Sequence, residues 1–368
     1  MIYLDSAATS LLKPASVKRA VVQTMTRCAS PSRGSYRAAM DAAEIVYSCR
    51  EEAAKLFHTK PEQVVFTMNA THALNLAIHS LVKPGMRVLI SGYEHNAVLR
   101  PLVAAGAEII VLRTPLFDRG AALAAFREKL TDCDAVICTH VSNVFGFVLP
   151  IEELSAECMR AGVPLIVDAA QSAGLLPVDM TKWDCAFIAM PGHKGLMGPQ
   201  GTGMLLCNHD TLPLLHGGTG TLSRSLTMPD ALPERLEAGT QNVPGIAGLL
   251  EGIRYVNQIG LTAIQKKERD LAEAFVSQLQ DWRLRAFCSP EREAQSGVVS
   301  VLFEGLDCET AAERLGEQGI AVRAGLHCAP LAHETAGTLE SGTVRFSFSP
   351  LLSMEEVTRA GALCKKIF

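Results

Sequence analysis

Seven short apolar runs punctuate the chain up to residue 206: Val64–Thr67, Arg87–Ser91, Glu108–Leu112, Ala135–Thr139, Val163–Val167, Cys185–Ala189 and Gly203–Leu206. They do not alternate apolar with polar residues, so they suit strands covered on both faces. Helical spacing fills the gaps. Leu74, Ala77, Ile78 and Leu81 recur at helical intervals after the first run,. Further helical patterns cover Ala97–Ala105, Ala121–Leu130 and Ile151–Ala161. Strands and helices in this order predict a mostly parallel, doubly wound α/β layer of seven strands,. Ligands in such layers bind beyond the carboxyl ends of the strands. Thr71, His95, Asn143, Asp168 and Lys194 all follow these runs.

The pattern changes near residue 245. Two long helical patterns, Gly245–Ile259 and Thr262–Leu279, come first. A strand at Gly297–Phe303, a helix at Cys308–Gly316, a strand at Val344–Phe348 and a helix after Ser353 follow. The expected division is a large α/β domain over residues 16–245 and a smaller α+β domain built from residues 1–15 and 246–368. No internal repeat or low-complexity segment interrupts it.

Composition narrows the setting. With 368 residues, 48% of them hydrophobic, the chain can bury a sizeable core,. A net charge of -4 argues against a nucleic-acid or anionic-membrane partner,. No apolar run approaches the roughly 20 residues that span a bilayer. Met1–Ser6 has no basic segment leading into an apolar stretch, so a secretory signal is not expected and a cytoplasmic location is,. The eleven cysteines are scattered, form no Cys-x-x-Cys, and stand mostly in apolar runs. They read as reduced, buried small hydrophobes.

The chemistry centres on Lys194, in Pro191-Gly192-His193-Lys194-Gly195-Leu196-Met197-Gly198. Upstream, the run Val163–Val167 ends in Asp168-Ala169-Ala170-Gln171. A carboxylate at one strand end and a lysine after the next are what pyridoxal phosphate chemistry needs. The lysine can form an imine with the cofactor aldehyde, and the aspartate can keep the pyridine nitrogen protonated. On spacing alone, a surface lysine in a Gly-rich turn explains the segment equally well.

Other segments converge on the same reading. Thr71 stands at a strand-to-helix junction, where N–H groups and a hydroxyl suit an anion such as the cofactor phosphate. An ordinary threonine cap is the alternative. His95 follows the second strand, where an imidazole can lie over a flat ring and move protons. A plain loop histidine is equally compatible. The Asn143 amide can reach a cofactor hydroxyl or cap its own turn.

Over nearly its whole length the chain resembles the class V aminotransferase-like pyridoxal phosphate enzymes, within them the cysteine desulfurase and selenocysteine lyase group. Its opening, Tyr3-Leu4-Asp5-Ser6-Ala7-Ala8-Thr9, is similar to the family's first strand. The resemblance implies the fold type I pyridoxal-phosphate transferase architecture. It assigns Lys194 the covalent cofactor link, Asp168 the pyridine nitrogen, Gln171 the ring hydroxyl with Asn143 nearby, and His95 the stacking position. Thr71 and His193 would contact the phosphate. Thr240, in Glu237-Ala238-Gly239-Thr240, would reach the phosphate of a neighbouring subunit, which implies a homodimer. Arg323-Ala324-Gly325-Leu326-His327-Cys328-Ala329 looks like the Arg-x-Gly-His-His-Cys-Ala loop of one desulfurase subgroup. By that likeness Cys328 is the nucleophile that takes sulfur. Arg345 would bind the substrate carboxylate, with Arg323 and Ala8 beside it. The implied substrate is cysteine or selenocysteine, with a sulfur-acceptor protein as a further partner.

Two residues depart from the family pattern. Pro191 stands where relatives carry a phosphate-binding serine, and proline has neither hydroxyl nor N–H. Leu326 replaces the first histidine of the cysteine loop. Three alternatives stay open at this level. One is another class V enzyme, an aminotransferase or β-lyase acting on a different amino acid. A second is a non-catalytic relative. The third is a metal site at His327, Cys328 and His333, whose spacing fits no common zinc pattern; no metal is expected.

Overall fold

A computed structural model describes residues 1–31 and 34–367. Chain order gives β1 (Ile2–Tyr3), α1 (Ala15–Arg27), α2 (Arg37–Phe57), β2 (Val64–Thr67), α3 (Ala70–Leu81), β3 (Arg87–Ser91), α4 (Asn96–Ala104), β4 (Glu108–Leu112) and α5 (Arg119–Lys129). Next come β5 (Ala135–Thr139), α6 (Ile151–Ala161), β6 (Leu165–Asp168), α7 (Met180–Trp183), β7 (Phe187–Pro191) and β8 (Gly203–Cys207). The remainder is α8 (Val243–Ile259), α9 (Leu261–Ser277), β9 (Leu284–Phe287), β10 (Val298–Phe303), α10 (Cys308–Glu317), β11 (Ile320–Ala321), β12 (Arg323–Gly325), α11 (Pro330–Ala336), β13 (Thr343–Ser347) and α12 (Met354–Cys364).

The expected layer is present. Seven strands form one sheet in the order β2-β8-β7-β6-β5-β3-β4. Neighbours from β4 to β7 run parallel, while β8 is antiparallel to both β7 and β2. Both faces are apolar, as the unalternating runs require. Along β5, Val136 and Cys138 enter one core and Ala135 and Ile137 the other,.

Two strands begin later than the apolar runs predict. Gly162 ends α6 in the left-handed conformation, and the Val163 N–H bonds back to Cys158 O at 3.0 Å,. Val163 therefore closes the helix, and β6 starts at Leu165. Asp184 closes α7 in the same left-handed way, so β7 starts at Phe187 rather than Cys185.

A second sheet, β12-β13-β10-β9, is antiparallel, and β1 pairs with β11 in a small parallel ladder. Its core joins Leu271 and Phe275 of α9 to Val299, Val301, Val344, Phe346 and Val357. Residues 246–259, which the sequence pattern assigns to the smaller unit, belong to α8. That helix packs on α1 and α2, with Ile246, Leu249 and Ile253 in the core of the large sheet. No helix among the described residues is long and apolar enough to cross a membrane.

Candidate active site

Lys194 lies three residues beyond the end of β7. Its loop is pressed onto the turn that follows β6: a Cβ on Gly195 would lie 2.4 Å from Ala173 O, so only glycine fits there,. Lys194 is half-buried, and its amine donates no hydrogen bond among the described residues. Burial pulls its pKa down to about 8, the Arg345 charge adds to the effect, and Asp168 opposes it,.

Asp168 is the last residue of β6 and is buried. Its Oδ1 accepts from Ala170 N at 2.8 Å. Burial raises its pKa, against the Ala170 hydrogen bond and the Lys194 charge. Gln171, one turn on, donates from Nε2 to Ala7 O at 3.0 Å, tying this turn to the N-terminal segment.

His95 is both a site residue and the N-cap of α4. Its Nδ1 accepts from Ala97 N at 3.0 Å, which leaves the proton of the neutral ring on Nε2,. Burial and then the positive charges of Lys194, Arg323 and Arg345 push its pKa down to about 4, so the ring is neutral at pH 7. His193 is likewise held at about 4 by burial and by Lys194 and Lys13, with Nδ1 3.0 Å from Thr9 Oγ1. Thr71 is exposed in the first turn of α3, where Asn69 caps His72 N at 2.9 Å. The N–H groups of Ala70 and Thr71 have no partner among the described residues.

The second sheet supplies the opposite wall. Arg345 on β13 is 2% exposed. It donates from Nη2 to Asp5 Oδ1 at 2.7 Å and from Nη1 to Asn143 O at 3.0 Å. Asn143 in turn donates from Nδ2 to His327 O at 2.8 Å. Arg323 pairs across the strands with Arg345 and lies 3.9 Å from Cys328 Sγ. His327 and Cys328 both have positive φ, 51° and 56°, a conformation that costs energy in residues with a Cβ,. The loop is held there by Asn96 N, which donates to Cys328 O at 2.8 Å, and by His327 Nε2, 3.1 Å from Thr343 O. Among the eleven cysteines, Cys328 alone is exposed.

One cavity of about 210 Å³ collects Ala8, Thr71, His95, Asn143, Asp168, Gln171, His193, Lys194, Arg323 and Arg345. Pro191 also borders it. Cys328 stands outside its lining, joined to it through Arg323 and His327. Thr240 is not in it; it borders a separate cavity of about 690 Å³ together with Arg50 and Glu237. Neither Asp5, the partner of Arg345, nor the Asn96 N–H that pins the cysteine loop is marked for that contact by any motif. Asp5 lies in the quoted opening segment, but nothing local marks it as the counter-ion of a residue near the other end of the chain.

The class-V aminotransferase family profile matches residues 2–360. A probable cysteine desulfurase of Pyrococcus abyssi is 34% identical, covering 97% of this chain and 92% of the relative. The cysteine desulfurase of Haloferax volcanii is 31% identical over 98% of this chain and 87% of its own length. Among solved structures, the apo cysteine desulfurase of Thermococcus onnurineus NA1 superposes with a TM-score of 0.92 at 33% identity, covering 100% of this chain and 94% of that one. The cysteine desulfurase CsdA of Escherichia coli gives 0.85 at 27% identity, over 99% of this chain and 93% of its own. With the profile matching nearly the whole chain and a relative 34% identical over 97% of it, the chain belongs to the class-V aminotransferase family.

Proposed function

We propose that this chain is a pyridoxal-phosphate-dependent cysteine desulfurase. It converts L-cysteine to L-alanine and holds the sulfur as a persulfide on Cys328. The observation that carries this reading is the shared cavity, in which Lys194, Asp168, His95 and Arg345 converge beside an exposed cysteine. The names of the relatives point the same way.

The donor set fits the cofactor. Lys194 offers an amine with no protein hydrogen bond. Asp168 offers a buried carboxylate whose Oδ2 has no protein partner. The unpartnered N–H groups of Ala70 and Thr71, the Thr71 hydroxyl and His193 suit a phosphate,. When bound, the cofactor supplies an electron sink for the pair left on the substrate Cα. Asp168 would hold a proton on a ring nitrogen. Lys194 Nζ would take the Cα proton, and His95, neutral with Nε2–H, would pass protons at the substrate side,. Arg345 would grip the substrate carboxylate through its fork. The Cys328 thiolate attacks the substrate sulfur, the C–S bond breaks with its electrons staying on carbon, and a proton completes the alanine methyl group. An external thiol or an acceptor protein then takes the sulfur from the exposed persulfide.

The proposed division of labour gives the cofactor to the large sheet with its covering helix α8, within residues 16–259, and Arg345 and the cysteine loop to residues 1–15 with 260–368. A homodimer is part of this reading. Thr240 is exposed and outside its own chain's cavity, so its hydroxyl is available to a partner's phosphate site. Selenocysteine suits the same site, because selenium leaves carbon more readily than sulfur and makes less demand on Cys328.

The test is incubation with L-cysteine and a thiol reductant, with alanine and sulfide measured together. Equal amounts are expected, and Cys328→Ala should lose at least about 100-fold in rate, while retaining more of its rate toward selenocysteine. Full activity of Cys328→Ala on cysteine would overturn the persulfide step. Production of pyruvate or an amine-transfer product in place of alanine would overturn the reaction itself.

A further inference from the structure

Arg50 of α2 and Glu237 form an ion pair whose side chains are 7% and 6% exposed, with Nη2 2.5 Å from Oε2. The pair closes the edge of the large sheet. β2 is an edge strand, so its outward backbone groups lack a neighbouring strand,. Arg50 Nη1 donates to one of them, Val64 O, and Phe66 N donates to Glu237 Oε1 at 2.6 Å. The guanidinium also lies over the Phe66 ring, 4.5 Å from its centroid,. Burial pushes the Glu237 carboxyl up, and the Arg50 charge opposes it.

Stability is a weak reason for such a pair, because apolar side chains of similar volume often serve a buried position as well. What the pair does is fix a segment without regular structure. Among the described residues, 208–242 form neither helix nor strand between β8 and α8. Glu237 stands three residues before Thr240, and Gln241, directly after it, donates from Nε2 to Glu237 Oε2. Between them Gly239 turns at φ 94°, and its N–H donates to Gly218 O at 2.8 Å,. Thr240 is thus pinned from both sides while remaining exposed beside the cavity of about 690 Å³.

The phosphate end of the candidate active site is short of donors. Within one copy it offers the first turn of α3, the Thr71 hydroxyl and neutral His193, and Pro191 adds neither hydroxyl nor N–H,. A hydroxyl from a second copy completes it. Apolar surface for a second copy stands beside Thr240: Met40 and Tyr47, two turns apart on α2, are 56% and 53% exposed, and Tyr47 borders the same cavity as Thr240,.

We propose that Arg50 and Glu237 are positioning residues that act in trans, an inference that rests on the homodimeric assignment of Thr240. Their ion pair holds Thr240 where its hydroxyl enters the phosphate site of the partner subunit. Each copy's pair therefore sets the cofactor affinity of the other copy.

The test uses heterodimers assembled from two differently tagged full-length chains. One chain carries Lys194→Ala, so only the other binds pyridoxal phosphate covalently. Titration of the cofactor-free heterodimer, followed at the visible absorbance of that adduct, reads the affinity of one site. Glu237→Gln on the Lys194→Ala chain should weaken it by about tenfold, as should Thr240→Ala in the same place. The two together should weaken it no further, because both act through one hydroxyl. On the chain that keeps Lys194, Glu237→Gln should leave the affinity unchanged. Loss confined to that second arrangement, equal loss in both, or loss in neither overturns the proposal. If no dimer forms, or if Thr240→Ala on the Lys194→Ala chain costs nothing, the dimer reading fails and takes the proposal with it. If Thr240→Ala weakens binding there and Glu237→Gln does not, the proposal alone fails. Should Glu237→Gln not fold, the double variant Arg50→Met/Glu237→Met leaves no charge uncompensated and replaces it with the same expectations.

Discussion

Arg345 and Asp5, 340 positions apart in the chain, form an ion pair with Nη2 2.7 Å from Oδ1, the guanidinium buried and the carboxylate partly exposed. The guanidinium is also fixed by Asn143 O, and its Nε has no partner. Burial lowers the Arg345 pKa and Asp5 opposes that, so the charge is kept where burial alone would disfavour it. Removing the partner should leave a buried cation uncompensated, which costs about 3 kcal/mol or more. Asp5→Ala is therefore expected to lose stability on that order, measured by denaturant unfolding. Asp5→Asn, which keeps a hydrogen-bond acceptor, should lose less.

The same geometry sets a kinetic expectation. Lysine keeps the charge of Arg345 but not its planar fork, so it cannot serve Asp5, Asn143 and a substrate carboxylate together. Arg345→Lys should raise KM for cysteine by about tenfold or more, with a smaller change in kcat, because the carboxylate contact is made equally in ground and transition states. Steady-state kinetics decide the matter: an unchanged KM would remove Arg345 from substrate binding.

Lys194 gives a prediction in pH. Its pKa is lowered to about 8 by burial and by Arg345, so the nucleophilic free amine forms two pH units or so below the range of an ordinary lysine,. Cofactor capture by the cofactor-free protein should accelerate with pH through about 8 and level off above it. Stopped-flow absorbance after mixing with pyridoxal phosphate reads this directly. A rate still climbing steeply above pH 9 would show an unperturbed lysine.

His140 gives a prediction in stability. It is buried edge-on to Trp183, with ring centroids 5.0 Å apart, and burial, aided by Arg119, pushes its pKa down to about 3. Below about pH 6.5 the unfolded chain protonates this histidine and the folded chain does not, so its contribution to stability falls as pH falls. His140→Gln lacks that penalty. Between about pH 7 and pH 5.5 the variant should gain about 1 kcal/mol relative to wild type, whatever its offset at pH 7. Paired denaturant melts at the two pH values measure the difference, and a constant offset would contradict it.

The large sheet was legible in the sequence because its strands are covered on both faces and read as plain apolar runs. The helices α1 and α2 were not, since no apolar run brackets them and α2 mixes alanines with charged residues over 21 positions. The strand β12 carries no strand signal of its own, because it is three residues long and ends in Gly325 at φ 97°. In the site, residues that follow strands could be placed by topology, which is why Asp168, His95 and Lys194 meet as expected. The contacts that hold them were invisible. Asp5 reaches Arg345, and Asn96 N reaches Cys328 O, only because the second sheet closes over the first.

Pro191 is the place where this chain's own sequence makes the sharpest demand. It ends β7 opposite Gly203 and borders the cavity, yet offers neither hydroxyl nor N–H to an anion there,. Phosphate binding must then rest on the first turn of α3, on His193 and, in the proposed dimer, on the partner's Thr240. A hydroxyl added at this strand end would supply one further hydrogen bond to a charged oxygen, a contact of about 1.5 kcal/mol or more. Pro191→Ser should therefore tighten pyridoxal phosphate binding by about tenfold, measured by absorbance titration of the cofactor-free protein. The neighbouring loop is fixed by Gly195 against Ala173 rather than by the proline ring, so the substitution should leave Lys194 in position. Unchanged or weaker binding would mean that the phosphate does not lie within reach of residue 191.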